Sequence, residues 1–409
     1  MKTYLLTGDI GGTNSRMGLY STSSPEPLKV KIYRNQDHLP TDNREGSTVF
    51  QDKIVAPFLK LCFEELSISP DDANNISSDF RIVACLACAG PVQNNKVRMS
   101  NLGYLSVDGG VIGNSSKPYL VHIHHCSVIN DFVAQGYGCL TLQSQEVKHL
   151  YGPKSWPDSG PKVCVGAGTG LGECYLTPAV GSGIYSCFPS EGGHVEYTPR
   201  SDLEIKMLKY LREKFASKTR ISVERVVSGI GLANVYEFLA QEYPDRVDKK
   251  VQAEFDAAGD DKGRVVATNA GPGSLCLEAM DLMMSAYGCE VGNAAIKFMP
   301  TGGLFVTGGL TPKNIKHIEG ADTKFMQAYV DKGRVKTLLD TVPTFAVLTE
   351  DLGVRGAYKC AMMDFERICG ASHEQSHKKD KDEKLGMILT MVSVAAAAYV
   401  TGAMLSKSK

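Results

Sequence analysis

The string Asp9-Ile10-Gly11-Gly12-Thr13-Asn14-Ser15-Arg16 gathers a carboxylate, adjacent glycines and a hydroxyl into one short run. Paired glycines let a backbone approach phosphate oxygens and aim N–H groups at them, forming an anion nest. A carboxylate at the end of the preceding apolar run can hold Mg²⁺, through water because magnesium dehydrates reluctantly. Thr13 adds a hydroxyl donor. A bare glycine pair would mean only a hairpin turn; the full string is far more specific. A second run, Gly166-Ala167-Gly168-Thr169-Gly170-Leu171-Gly172, lies in the other half of the chain. It is not a dinucleotide fingerprint, because Leu171 stands where a glycine is needed and a strand, not a helix, follows. Gly-Lys-Ser/Thr is absent, so the chain is not a P-loop protein. Two phosphate-type hairpins between apolar strands suggest a nucleotide gripped between two similar units. Gly308-Gly309-Leu310 closes a third strand and is placed to lie against the base or ribose.

Three further strings offer side chains for a second substrate. In Ile129-Asn130-Asp131-Phe132, Asp131 falls where a strand gives way to a helix. A helix N-terminus stabilises negative charge, so Asp131 is expected to stay ionised and able to accept a proton. Asn-Asp before a helix is also an ordinary N-cap pattern. Glu191-Gly192-Gly193-His194 presents a carboxylate and an imidazole on a loop without bulk between them. Such groups suit a neutral polyol, whose buried hydroxyls each need partners. Zinc would need further ligands, and only Cys187 is close in sequence. In Ser222–Gly229, Ser222 is a candidate N-cap and Glu224 falls in the first turn, which already explains Glu224 structurally. His122, His124 and His125 read as strand surface or packing, since no carboxylate lies within the cluster.

The elements that must position these groups alternate between strand and helix. Strands are predicted at Tyr4–Leu6, Met17–Tyr20, Arg81–Ala89, Leu120–Asn130, Val163–Val165, Cys174–Leu176 and Leu304–Thr307. Helical spacing of apolar residues predicts helices over Gln51–Leu66, Asp202–Phe215, Gly231–Gln241 and Ser274–Met299, with another from Phe132 onward. The Pro- and Gly-rich Gly152–Lys162 reads as a boundary. This alternation gives an α/β class.

Composition sets the bounds. The 409 residues predict two to three domains, and 43% hydrophobic content supplies ample core. A net charge of −1 argues against disorder and against a nucleic-acid surface. The 12 cysteines are scattered, and no secretory signal precedes them, which predicts free thiols in a reducing compartment. Cys85 and Cys88 form a lone CxxC inside an apolar strand, a structural reading rather than zinc. Ser372–Lys384 is a charged linker. Leu385–Leu405 then runs 21 residues without a charge. That is long enough to cross a hydrocarbon core of ~30 Å, with Lys381, Lys384, Lys407 and Lys409 as flanks. A membrane anchor is therefore expected, against a buried or dimer-contact helix as the alternative.

Together these strings resemble the bacterial-type glucokinases, in the hexokinase branch of the actin-like ATPase superfamily. The resemblance runs from about residue 3 to 370 through Asp9–Arg16, Ala89–Val92, Ser100-Asn101, Ile129–Phe132, Gly166–Gly172, Glu191–His194, Ser222–Gly229 and Gly302–Leu310. Zinc-binding sugar kinases and repressors share some strings, but their cysteine motif is missing here. The resemblance implies two ribonuclease-H-like α/β domains flanking a cleft. Residues 1–141 with 352–370 would form the small one and residues 142–351 the large one, followed by the linker 371–384 and the apolar helix 385–405. It implies ATP-dependent phosphorylation of glucose at the 6-hydroxyl, feeding glycolysis. Asp131 would be the general base, and Asn101, Asn130, Asp131, Glu191, His194 and Glu224 would hold the sugar. Asp9, Gly11, Gly12, Thr13, Asn14, Gly168, Thr169, Gly170, Gly308 and Gly309 would line the ATP, and Asp9 would hold Mg²⁺. A homodimer follows from the resemblance. The tail, which the bacterial enzymes lack, predicts a cytosolic body tethered to an organelle membrane, the mitochondrial outer membrane being the nearest fit. Another hexose, such as mannose or glucosamine, or an inactive tethered sugar sensor are the alternatives.

Overall fold

The computed structural model describes residues 2–39, 48–69, 72, 80–99, 102, 105–179 and 184–369. Four strands open the chain: β1 (Lys2–Ile10), β2 (Asn14–Ser21), β3 (Pro27–Arg34) and β4 (Phe80–Cys88). A ribbon of β5 (Val92–Gln93), β6 (Lys96–Met99) and β7 (Leu105–Asp108) stands apart from them. With β8 (Ile123–Asn130) the first sheet is complete, in the order β3-β2-β1-β4-β8. The second sheet contains β9 (Val147–Tyr151), β10 (Lys162–Ala167), β11 (Leu171–Pro178), β12 (Tyr185–Ser190), β13 (Gly303–Thr307) and β14 (Thr344–Val347). Its order is β12-β11-β10-β13-β14-β9. The two sheets repeat one plan. An antiparallel meander (β1-β2-β3, β10-β11-β12) is followed by parallel strands on the free side of its first strand. This duplicated α/β plan is that of the ribonuclease-H-like, actin-like ATPase fold.

Strands buried on both faces read as unbroken apolar runs, and β1 shows why. Tyr4, Leu6 and Ile10 enter one core with Phe58 and Phe63, while Leu5 enters another with Ala134, Val354 and Ala357. The helix Asp131–Cys139 lies between the sheets. Its Ala134 belongs to the core on the first sheet, and its Cys139 packs with Cys164, Cys174 and Phe305 of the second. A helix over 352–369 closes on it so tightly that a Cβ at Gly356 would stand 1.7 Å from the Ala134 carbonyl oxygen.

Several predicted elements shift. The predicted helix 51–66 begins as a π-helical turn, Gln51–Val55, before the α-helix Ala56–Glu65. The predicted strand from Leu120 starts three residues late. Tyr119, at φ 65°, feeds a 3₁₀ turn, Leu120–His122, before β8. His122 therefore lies in the turn and not on the strand: it is buried and stacked on Phe80 at 4.2 Å, while His124, on β8, is exposed. The helices Asp202–Lys214, Gly229–Glu242 and Leu275–Phe298 lie where periodicity puts them. The linker and Leu385–Leu405 lie outside the described residues, among which no helix is long and apolar enough to cross a membrane.

Candidate functional site

Parallel pairing aligns the ends of β1, β4 and β8. Ile10 is in register with Cys88, and Cys88 with Asn130. Asp9 and Asp131 are thereby delivered to one edge of the first sheet. The N-cap there is Asn130, not Asp131: its Oδ1 accepts from the N–H groups of Phe132 (2.9 Å) and Val133 (3.3 Å), and its Nδ2 donates to the Gly90 carbonyl (3.1 Å). Asp131 occupies the first helical position and accepts from the Phe132 N–H at 3.0 Å.

The expectation that the helix terminus keeps Asp131 simply ionised needs correction. Burial, then the nearby Asp9 carboxylate, and more weakly Glu191, push Asp131 up to about 7, outweighing the backbone N–H groups that pull it down. Burial also pushes Asp9 up, opposed by Arg16, its cross-strand partner. The Asp9 carboxylate rests on the first turn of the helix 352–369; a Cβ at Gly353 would stand 2.7 Å from its Oδ2.

The first glycine turn is organised by a residue that no motif singled out. Buried Asn35 donates through Nδ2 to the carbonyls of Gly11 (2.8 Å) and Gly12 (3.3 Å), and its own N–H donates to the Thr13 carbonyl (2.9 Å). Ser15 holds its Oδ1 at 2.7 Å, and Asn14 closes the turn by accepting from the Gly11 N–H at 2.9 Å. Asn35 thus occupies carbonyls that would otherwise repel a phosphate. Asn35→Ala is expected to cost about 1–3 kcal/mol of stability and to raise the KM for ATP more than the KM for sugar. Denaturant melts and steady-state kinetics check this.

The second turn is braced by the segment from Ser222. The Gly168 N–H donates to the Gly170 carbonyl at 2.8 Å, and the Gly229 N–H to the Gly168 carbonyl at 2.8 Å. Glu224 Oε2 accepts from the Leu171 N–H at 3.1 Å and lies against Gly170, where a Cβ would come within 2.3 Å of it. Glu224 sits in a 3₁₀ turn, Val223–Arg225, and Ser222 makes no side-chain cap, contrary to the predicted capping role. The Ser222 backbone instead bridges to Glu196. Thr169 is exposed and Gly168 faces open space. Gly308, at φ 81°, packs against Ala167, which sets Gly308-Gly309 beside this turn. Tyr287, another residue the motifs missed, accepts from the Ala167 N–H at 3.2 Å and reaches the Thr307 carbonyl at 3.3 Å, tying β10 to the end of β13.

The loop Glu191–His194 is pinned from below. Glu191 and His194 are exposed and approach to 3.8 Å, while Gly192 and Gly193 are buried. The Val223 N–H donates to the Val195 carbonyl at 2.9 Å, which brings this loop beside the turn that bears Glu224. Beneath Gly192 lies Glu173, 4% exposed, its Oε1 without a hydrogen-bond partner among the described residues. Burial and then Glu290, eased by Lys297, push Glu173 up to about 7. A Cβ at Gly193 would stand 1.9 Å from the Leu171 carbonyl oxygen, which is backbone and cannot yield cheaply. Gly193→Ala should therefore raise the KM for sugar tenfold or more while the chain still folds; thermal melts and kinetics on the purified variant decide it.

Asp9, Asp131 and Glu191 thus converge electrostatically, His194 accompanies Glu191, and Glu224 belongs to the second turn. The predicted Asn101 lies outside the described residues. Among the described residues no group of three or more His, Cys, Asp or Glu side chains could hold a metal ion. The single hard-oxygen donor Asp9 fits Mg²⁺ held mainly by water and phosphate oxygens. The lone CxxC is structural: Cys85 and Cys88 are both fully buried.

The glucokinase family model matches residues 6–364. A glucokinase of Synechocystis sp. is 36% identical over 375 residues, covering 88% of this chain and 98% of that protein. One from Nostoc punctiforme is 35% identical over 374 residues, covering 88% and 99%. Among solved structures, the glucokinase of Balamuthia mandrillaris in complex with glucose superposes with a TM-score of 0.68 at 21% identity, covering 88% of this chain and 94% of that one. A glucokinase from an Antarctic psychrotroph gives 0.61 at 21% identity, covering 88% and 98%. With its duplicated fold, paired glycine turns and a family match over most of its length, the chain belongs to the glucokinase family.

Proposed function

We propose that this protein transfers the γ-phosphoryl group of ATP to the 6-hydroxyl of glucose, giving glucose 6-phosphate. The observation that carries the reading is Asp131, a carboxylate pushed up to about 7 at the sheet edge it shares with Asp9. A base with a pKa near neutrality is matched to taking a hydroxyl proton during transfer. Glu191, His194, Glu224 and Asn130, with Asn101, orient the sugar, and Asp131 receives the proton from its 6-hydroxyl. The turns at Gly11–Asn14 and Gly168–Gly170, with Gly308 and Gly309, hold the nucleotide. Phosphoryl transfer passes through a loose transition state, so positioning and charge stabilisation supply most of the rate. Asp9 would hold Mg²⁺, which when bound neutralises charge on the phosphate oxygens. Domain units 1–141 with 352–370, and 142–351, form the two walls of the cleft.

The test is ADP release with ATP and a panel of glucose, mannose and glucosamine. Glucose should give the highest kcat/KM, with the product phosphorylated at O6. ADP release unaffected by sugar, or none with any hexose, would overturn the reading. A cytosolic homodimer tethered through Leu385–Leu405 extends the proposal. Sedimentation of the full chain, and its membrane fractionation against a chain ending at Ala371, test those parts.

A further inference from the structure

The phosphoryl-transfer chemistry leaves a row of thiols unused. Cys139, Cys164, Cys174 and Cys187 are free and packed together: Cys139, Cys164 and Cys174 share one core cluster with Cys187 against it, and Cys164 stands opposite Cys174 across β10 and β11. They lie on the seam between the helix Asp131–Cys139 and the second sheet. Cys139, Cys164 and Cys174 are buried, whereas Cys187 is half-buried and reachable from solvent.

Cys174 and Cys187 stand on neighbouring antiparallel strands, Cys187 opposite Leu176 and Cys174 opposite Pro189. The alternation of side chains therefore puts both sulfurs on one face of the sheet. The helix bearing Asp131 rests directly on them. A Cβ at Gly136 would stand 2.6 Å from Cys174 Sγ and 2.7 Å from Cys187 Sγ. The same two strands lead to the sugar loop. Glu173, next to Cys174, lies against Gly192, and β12 runs from Cys187 to Ser190, just before Glu191.

We propose that Cys174 and Cys187 form a modification site, a dithiol that a low-molecular-weight disulfide such as oxidised glutathione converts to an intramolecular disulfide. The Cys187 thiolate attacks one sulfur of the reagent, whose S–S bond breaks and releases one reduced thiol. Cys174 loses its proton and attacks the Cys187 sulfur, releasing the second reduced thiol. The pair gives up two electrons and two protons, and the reagent is reduced to two thiols. Burial pushes the Cys174 thiol up, so it is protonated at rest and serves as the resolving partner. Drawing the sulfurs to a bond length of about 2.05 Å beneath Gly136 displaces the Asp131 helix and the strand leading to Glu191 together.

The full chain, fully reduced, is incubated with oxidised glutathione and followed by intact mass, by peptide mapping and by kinetics. Wild type should lose two hydrogen masses, map a Cys174–Cys187 link, and raise its KM for glucose about tenfold, within the range usual for coupled sites. Dithiothreitol should restore both. Cys174→Ser should stop at a stable mixed disulfide on Cys187, and Cys187→Ser should form no link to Cys174 and keep its KM. A link mapped to another pair, or a stable mixed disulfide on Cys187 in wild type, would overturn the assignment. A complete Cys174–Cys187 link with unchanged KM would overturn its coupling to the sugar loop. The mass readout stands independently of the kinase reading, so the two can fail separately.

Discussion

Asp131→Asn should lower kcat by about 10²–10⁴-fold, with a much smaller change in the affinity for glucose. The amide keeps the shape and the hydrogen bond from the Phe132 N–H but cannot take the 6-hydroxyl proton. The same substitution should stabilise the fold above neutral pH. Burial and Asp9 raise the folded-state value of Asp131 to about 7, well above the ordinary 3.8. Between those values the folded chain binds the proton more tightly than the unfolded one, so stability falls as pH rises through that window. The amide removes this cost, and at pH 8 the variant's Tm should match or exceed that of wild type. A collapse of both activity and Tm would mean that Asp131 matters only structurally. In wild type, kcat/KM for glucose should fall tenfold per unit below about pH 7, because the base must be deprotonated to act.

Asp9→Asn carries the second large effect and separates two roles of one carboxylate. Losing the donor for the phosphate-bound cation should cost about 10²–10³-fold in kcat/KM for ATP, the scale set by removing one preorganised charge-stabilising group. Asp9 is also the charge that does most to hold Asp131 up. With that negative charge gone, the acidic limb of the residual activity should move to lower pH. Glu191→Gln should move the limb the same way but less, since its influence on Asp131 is weaker. A limb that stays in place in Asp9→Asn would show that the two carboxylates do not sense each other. Profiles of kcat/KM from pH 5 to 9 for the three proteins make the comparison.

Much of this is legible in the chain because the candidate site residues lie in short contiguous strings. Asp9–Arg16 and Gly166–Gly172 each sit between strands whose apolar runs announce them, and both became hairpin turns at equivalent places in the duplicated sheets. What the sequence hid depends on contacts between distant residues. Asn35 lies outside every motif, yet its amide organises the first turn. Glu173 reads as one polar residue in an alternating strand, and its place under Gly192 appears only once β11 and the loop Glu191–His194 are packed. The ionisation of Asp131 departs from what the helix terminus alone predicts for the same reason. The helix terminus is local and visible, whereas burial depends on tertiary packing and the Asp9 charge comes from a strand more than a hundred residues away. The late start of β8 follows from one residue, Tyr119, whose backbone turns against the strand propensity around it.

The most direct measurement is a crystal structure with glucose and a non-hydrolysable ATP analogue bound together. The expected result is an Asp131 carboxylate oxygen about 2.6–3.2 Å from the glucose 6-hydroxyl, with the γ-phosphate between the turns at Gly12 and Thr169. A sugar bound away from Asp131, or a nucleotide that touches neither turn, would contradict the assignment of Asp131 as the base.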